Sequence, residues 1–164
     1  MNDWLKSIHY QIDKQVEEHI SVKDYRFYHI ARLKEVASRI SGFEKNNCVV
    51  CRSHKKQIDE LAQQLSKMVN GTGVQRKEYE NRLEGMISHL RDKHGIYPAF
   101  YFAYLYSFQY MMGGIGVGII SSYAIFMQFQ WNVLLICLGL GIVVGNVTGS
   151  RKDSEIRRSG KQLQ

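Results

Sequence analysis

Residues 98–150 read PAFYFAYLYSFQYMMGGIGVGIISSYAIFMQFQWNVLLICLGLGIVVGNVTGS and contain no Asp, Glu, Lys, Arg or His. Ordinary soluble domains do not contain an uncharged stretch of 53 residues, because they carry charged side chains on their surface. One span of a bilayer needs roughly 20 apolar residues, so the stretch holds two spans and a turn but not three. We therefore predict a transmembrane helical hairpin over residues 98–150.

The segments on either side of this stretch are charged. Residues 1–97 carry 17 of the 22 Lys and Arg and 13 of the 15 acidic residues, and the remaining charges follow the hairpin. A segment of that length suffices for one small hydrophobic core. We predict three parts, namely a helical domain over residues 1–97, the hairpin over residues 98–150 and a basic tail over residues 151–164.

The distribution of cations predicts an orientation. Arg91 and Lys93 precede the hairpin, Arg151 and Lys152 follow it, and the turn around residues 128–130 is uncharged. Lys and Arg accumulate on the cytoplasmic side of a membrane. The N-terminus has no basic segment followed by an apolar run, so no cleavable signal peptide is expected. We predict a multi-pass protein of the inner or plasma membrane with two spans and with both termini in the cytoplasm.

Apolar residues recur at intervals of three and four through the first 97 residues, which indicates helices. The pattern predicts helices over residues 3–20, 22–40, 48–68 and 75–93, with the last two separated by the turn signal Asn70–Gly73. The first is interpreted either as a core helix or as a helix on the membrane surface. No strand is predicted outside the hydrophobic stretch. The expected fold class is all-α, with about four cytoplasmic helices and the two-span hairpin.

Small residues recur at intervals of four within the predicted spans. The first span contains Gly114 and Gly118, and the second contains Gly141, Gly145 and Gly149. Glycines at this spacing let helix backbones approach closely. They serve the packing of the two spans in one chain, the assembly of several chains, or both, and we predict a homo-oligomer.

Two pairs of residues have the spacing of metal ligands. Cys48-x2-Cys51 lies in a segment expected in the cytoplasm, where structural disulfides are rare, and His89-x4-His94 follows it. Together they have the local spacings of a Cys2His2 zinc site, although the middle gap is longer than in a zinc finger. With all four positions filled by protein, no position is left for a catalytic water, so we predict structural zinc. A redox-active dithiol and a metal-free pair of cysteines are the alternatives.

The predicted helix pairing brings the two pairs together. A hairpin that turns near residue 72 places Cys51 opposite residue 93 and Cys48 opposite residue 96. Histidines five residues apart point about 140° from each other on a helix, so His94 is expected beyond the helix end, which Gly95 permits. His54, one turn after Cys51, is the rival ligand.

A second interpretation assigns His89 to catalysis. Arg82-x6-His89 resembles the R-x4-6-H motif of the HEPN ribonuclease superfamily, which is also all-helical. This resemblance implies a membrane-anchored ribonuclease, or an accessory effector of an RNA-guided bacterial defence system, in which Arg82 and His89 act on RNA at a dimer interface. RNA is an expected partner under this interpretation only.

Other functional classes are disfavoured by what the chain lacks. The hydrophobic stretch has no charge that could relay protons or bind ions, which argues against a transporter. The sequence also shows no phosphate-binding loop and no nucleophile paired with a base. The expected function is that of a non-enzymatic, homo-oligomeric membrane protein, either a pore or a scaffold, with a zinc-stabilised cytoplasmic domain.

Overall fold

The computed structural model describes residues 3–44 and 48–163 of the chain. Within those ranges the fold is all-α except for two strands of two residues each. The elements, in chain order, are α1 (Asp3–His19), α2 (Val22–Phe27), α3 (Ile30–Glu44), α4 (Val49–Val69), α5 (Gly73–His94), β1 (Tyr97–Pro98), α6 (Tyr101–Phe126), α7 (Trp131–Arg158) and β2 (Gln162–Leu163).

The chain divides into two compact units. The first comprises Met1–Ile96 with Leu163–Gln164, and the second comprises Tyr97–Gln162. The boundary thus falls one residue before the end of the helical domain that the sequence analysis predicted.

The first unit is a bundle in which α1, α3, α4 and α5 bury their apolar faces against one another. Ile8 and Ile12 of α1 belong to this core, so α1 is a core helix. The turn between α4 and α5 uses a capping box, in which the Gln75 side chain accepts a hydrogen bond from the Thr72 backbone N–H at 3.0 Å. The other fully buried large side chains of this core are Ile30, Leu33, Ile40, Ile58, Leu61, Leu65, Tyr79, Met86, Leu90 and Leu163.

The single helix predicted over residues 22–40 is wrong, because the chain breaks between α2 and α3. His29 has a left-handed φ of 50°, which interrupts the helical hydrogen bonds. The buried Tyr79 hydroxyl donates a hydrogen bond of 3.2 Å to the Tyr28 carbonyl, which the break leaves available. Burial raises the pKa of the Tyr79 phenol, which therefore stays a donor. The partner of this carbonyl lies 51 residues away, so the spacing of apolar residues around Tyr28 could not predict the hydrogen bond.

The second unit is a hairpin of α6 and α7, whose backbones approach closely at five glycines. A Cβ atom added at Gly145 would lie 2.5 Å from the Tyr106 carbonyl oxygen, and one added at Gly114 would lie 2.5 Å from the Cys137 oxygen. Such distances leave no room for a side chain. Gly141 and Gly149 meet backbone oxygens of α6 in the same way, and a Cβ added at Gly118 would lie 3.0 Å from the Leu134 Cα, a tighter contact than usual. These five glycines therefore line the contact between α6 and α7 of one chain.

The hairpin helix α7 does not end at Ser150, where the basic tail was predicted to begin, but continues to Arg158. The reason is a tertiary contact of Asp153, which is 6% exposed. Its two carboxylate oxygens accept hydrogen bonds from the backbone N–H groups of Phe102 and Ala103, at 3.0 and 2.8 Å. These N–H groups in the first turn of α6 have no partner within their own helix, and a carboxylate there is favourable.

The prediction that no strand lies outside the hydrophobic stretch is also wrong, since β1 and β2 form a two-stranded sheet. The Tyr97 N–H donates a hydrogen bond of 2.8 Å to the Lys161 carbonyl. Two-residue strands carry no alternating pattern, so the sequence holds no signal for them.

Among the described residues one helix, α7, is long and apolar enough to cross a membrane by length and composition. The second predicted span corresponds to this helix. The first corresponds to α6, which does not reach the same hydropathy because its tyrosines, glycines and Gln109 dilute the apolar residues. Two spans and a cytoplasmic location of both termini remain predictions.

Candidate metal centre

Cys48, Cys51, His89 and His94 form one cluster in the first unit, and their ligand atoms all lie within 4.8 Å of one another. Nε2 of His89 lies 3.4 Å from Sγ of Cys48 and 3.3 Å from Sγ of Cys51. Nε2 of His94 lies 3.3 Å from Sγ of Cys51. Sulfur and nitrogen ligands of a tetrahedral zinc ion stand about 3.5 Å apart, given the usual Zn–S and Zn–N bond lengths. The four side chains thus have an arrangement that could hold a metal ion of zinc's size.

The two cysteines are positioned by the first turn of α4. Cys48 is the N-cap residue, with extended backbone angles, and Cys51 is buried three residues later. One helical turn separates such positions, so both sulfurs face α5. The backbone N–H of Cys51 lowers the pKa of the Cys48 thiol, because it stabilises the thiolate.

The two histidines are positioned by the last two turns of α5. Gly95 ends the helix with a left-handed φ of 64°, and the Ile96 N–H returns to the Leu90 carbonyl at 3.1 Å. Gly is the residue that adopts this conformation without strain. His94 is the last residue of α5, so the expectation that it lies beyond the helix end is wrong. Nε2 of each imidazole lies 3.3 Å from the buried Cys51 sulfur, and the two ring centroids are 5.2 Å apart.

Burial affects the protonation of both histidines. It lowers the pKa of His89, and the neighbouring positive charges of His54, His94 and Lys93 lower it further. Burial also lowers the pKa of His94. Neutral imidazole and thiolate are the forms that bind metal, so the surroundings of the cluster favour metal-binding forms of these ligands.

Two further side chains border the cluster without belonging to it. Phe43 of α3 stacks on the His94 ring, with centroids 4.0 Å apart and an angle of 17° between the planes. His54, the rival ligand, has its ring 5.3 Å from that of His89, and its Nδ1 lies 3.0 Å from Oε1 of Gln57. His54 is therefore a neighbour of the four-ligand cluster. Sequence reasoning missed Phe43, which carries no motif and is placed only by the packing of α3.

Arg82, the other half of the nuclease-like motif, is engaged elsewhere. Its guanidinium donates to Glu78 at 2.5 Å and to Glu60 at 3.4 Å. Within residues 3–44 and 48–163, no hydrogen bond joins Arg82 to His89, and the contacts of the His89 ring are with the cysteines and histidines of the cluster and its border. The fold thus brings together the four predicted ligands and leaves Arg82 in an ion-pair network.

Comparison with known proteins gives no relative. No family model matches the chain, no curated protein matches it, and no solved structure matches it. The class that the fold and site define is an all-α protein with a Cys2His2 cluster that could hold a metal ion.

Proposed function

We propose that this chain is a non-enzymatic, homo-oligomeric membrane protein whose first unit is stabilised by zinc bound to Cys48, Cys51, His89 and His94. The single observation that carries the zinc proposal is the convergence of these four ligand atoms within 4.8 Å. Four protein ligands leave no open coordination position, which is the hallmark of a structural rather than a catalytic zinc site.

Bound zinc would add to the stability of the first unit. A core of this size gives a domain only marginal stability, and small domains are commonly reinforced by a metal or disulfides. The ligands lie on the N-terminal end of α4 and the C-terminal end of α5, so bound zinc joins the open end of this helical pair. The closed end is held by the capping box at Thr72.

The exposure of the hairpin supports two membrane spans. Only 11% of the most apolar 18-residue segment of α7 is buried within the chain, whereas a core helix of a soluble protein is mostly buried. The partner helix α6 contains no charged residue and has 26 residues, so it is about 39 Å long and exceeds the hydrocarbon thickness of a bilayer. Both helices expose large apolar side chains along their length, among them Phe108, Ile120, Ile125, Leu135, Ile136, Leu140 and Val143.

Polar groups on the outside of this apolar hairpin support self-association. Gln109 and Asn146 are both exposed, and neither side chain has a hydrogen-bond partner within the described part of the chain. An amide in hydrocarbon gains from pairing with another helix, by about 0.6–2 kcal/mol. Gln109 borders a groove of about 510 Å³ between α6 and α7, and the helical angle places Asn146 on the opposite flank. The proposed assembly is a ring in which the groove of one copy contacts the Asn146 flank of the next.

The test of the zinc and membrane proposals uses the full chain purified without chelator. Elemental analysis should find one zinc per chain, and removal of the metal should lower the unfolding temperature. Membranes of expressing cells should retain the chain after alkaline carbonate extraction. A metal-free protein with the same stability would refute the zinc proposal, and release by carbonate would refute the membrane proposal.

The test of self-association uses native mass spectrometry in mild detergent. Gln109→Leu and Asn146→Leu should shift the wild-type oligomer toward smaller species. Thr148→Val is the control, because the Thr148 hydroxyl already donates to the Val144 carbonyl of its own helix at 2.8 Å. A monomeric wild-type chain would refute the assembly. Conductance across planar bilayers then distinguishes a pore from a scaffold.

A further inference from the structure

The end of α7 and the residues after it carry exposed cations. Arg151, Arg157 and Arg158 lie on the helix, Lys161 follows it, and all four side chains are exposed. This segment was expected to be a tail, but Arg151, Arg157 and Arg158 lie within the helix.

The acidic residues of the segment interact with groups other than these four cations. Both oxygens of Asp153 accept hydrogen bonds from the first turn of α6. Glu155 pairs with Lys152 at 2.8 Å, and each holds the pKa of the other in the direction that favours the charged form. Within the described residues, none of the four exposed cations takes part in an ion pair.

The cations continue an exposed apolar stripe on the same helix. Ile136, Val143 and Val147 are exposed and lie outside the groove, and Arg151 and Arg157 follow them on the same face at helical spacing. Arg151 lies about 6 Å along the helix beyond Val147, which is the depth of the headgroup layer next to the hydrocarbon. The apolar surface therefore ends where the positive charge begins.

Aromatic side chains occupy the same end of the hairpin. The Phe102 carbonyl lies against Gly149, so the first turns of α6 stand beside the last turns of α7. These turns of α6 carry Tyr101, Tyr104 and Tyr106, and tyrosine favours the membrane interface. The opposite end, around Met127 and Trp131, has aromatic residues but no charge.

We propose that the cations Arg151, Arg157, Arg158 and Lys161 form a binding surface for the headgroups of anionic phospholipids. The inference rests on the proposed insertion of the hairpin in a bilayer. Each Lys or Arg near an anionic membrane surface gains roughly five-fold in binding, and the effect extends over a Debye length of about 8–10 Å. The uncharged turn makes this preference specific to one leaflet.

The experiment reconstitutes the full chain in vesicles of phosphatidylcholine with a minor fraction of phosphatidylglycerol. Spin-labelled lipids of each type report which one is enriched around the protein. The wild type should select phosphatidylglycerol by at least the roughly five-fold expected from a single cation, and added salt should weaken the selection. A variant with all four cations replaced by glutamine, R151Q/R157Q/R158Q/K161Q, should lose the selection.

The matched control removes four exposed cations of the first unit, as K14Q/K23Q/K67Q/K77Q, and should retain the selection. Equal loss in this control, or no selection by the wild type, overturns the inference. Selective binding of a short RNA that the four-cation variant loses, without any lipid selection, also overturns it. Carbonate extraction of the same vesicles tests the membrane insertion separately from the headgroup binding. A chain that stays embedded without selecting phosphatidylglycerol refutes the headgroup surface alone. A released chain refutes the membrane insertion.

Discussion

The sulfur of Cys51 lies 3.3 Å from Nε2 of His94, although 43 residues separate the two along the chain. The contact joins the first turn of α4 to the last turn of α5, at the end of the pair opposite to its connecting turn. A metal bound at this point closes a long loop, and the free energy of metal binding then contributes to the free energy of folding.

The ligands of the cluster should be individually necessary for zinc. Cys51→Ser and His89→Ala should each remove the metal and lower the unfolding temperature by more than about 10 °C, because metal binding and folding are coupled. Cys137→Ser changes a cysteine of the second unit and should leave zinc and stability unchanged. Elemental analysis and thermal unfolding measure both effects. If His54→Ala loses zinc and His89→Ala retains it, the ligand is His54 and not His89.

Arg82 should be dispensable for the metal. Its pairs with Glu78 and Glu60 are partly exposed, so Arg82→Ala should cost about 0.5 kcal/mol or less and should leave the zinc content unchanged. A HEPN-like ribonuclease would behave differently, since Arg82→Ala and His89→Ala would both abolish RNA cleavage in folded proteins. Cleavage of a model RNA by wild-type protein, lost in Arg82→Ala, would favour the nuclease over the structural site.

Gly145 should be irreplaceable in the hairpin, whereas Gly139 should not. A Cβ at Gly145 would meet the Tyr106 oxygen at 2.5 Å and the Ser107 Cα at 2.6 Å, so Gly145→Ala should destabilise the hairpin by about 1–3 kcal/mol. A Cβ at Gly139 meets no atom within 4 Å, so Gly139→Ala should be neutral or stabilise by up to about 1 kcal/mol. Unfolding in mixed micelles measures both. Equal stability of the two variants would contradict the close approach.

Asp153 should contribute substantially to the stability of the second unit. Asp153→Ala leaves two backbone N–H groups without their acceptors and should cost about 3 kcal/mol. Asp153→Asn retains one acceptor oxygen and should cost less. Glu155→Ala breaks only an exposed pair and should leave the stability nearly unchanged. The same unfolding assay applies, and an Asp153→Ala variant as stable as Glu155→Ala would show that the cap is unimportant.

The orientation in the membrane is tested by labelling with an impermeant thiol reagent in intact cells. A cysteine at Gln130, in the uncharged turn, should react from outside, and a cysteine at Ser159 should react only after permeabilisation. Both are introduced in a Cys137→Ser background, which removes the native thiol of the hairpin. The reverse pattern would invert the predicted topology.

The sequence alone determined the features that depend on composition and local spacing. The uncharged stretch from Pro98 to Ser150 predicted the long apolar helices, because charge is costly away from water wherever it lies along the chain. The spacing of Cys48, Cys51, His89 and His94, with the turn at Asn70–Gly73 between them, predicted the cluster that the fold assembles. Zinc itself, the two spans and the oligomer stay predictions.

Only the tertiary structure decided the features that depend on a distant partner. The break at His29 accompanies a bond from Tyr79, the stacking on His94 comes from Phe43, and α7 continues past Ser150 because Asp153 reaches the start of α6. In each case a backbone group or a ring contacts a residue about 50 positions away. The sequence around either residue does not indicate which distant residue it will contact. Periodicity reports which face of a helix is buried, whereas the packed fold decides which polar group meets which.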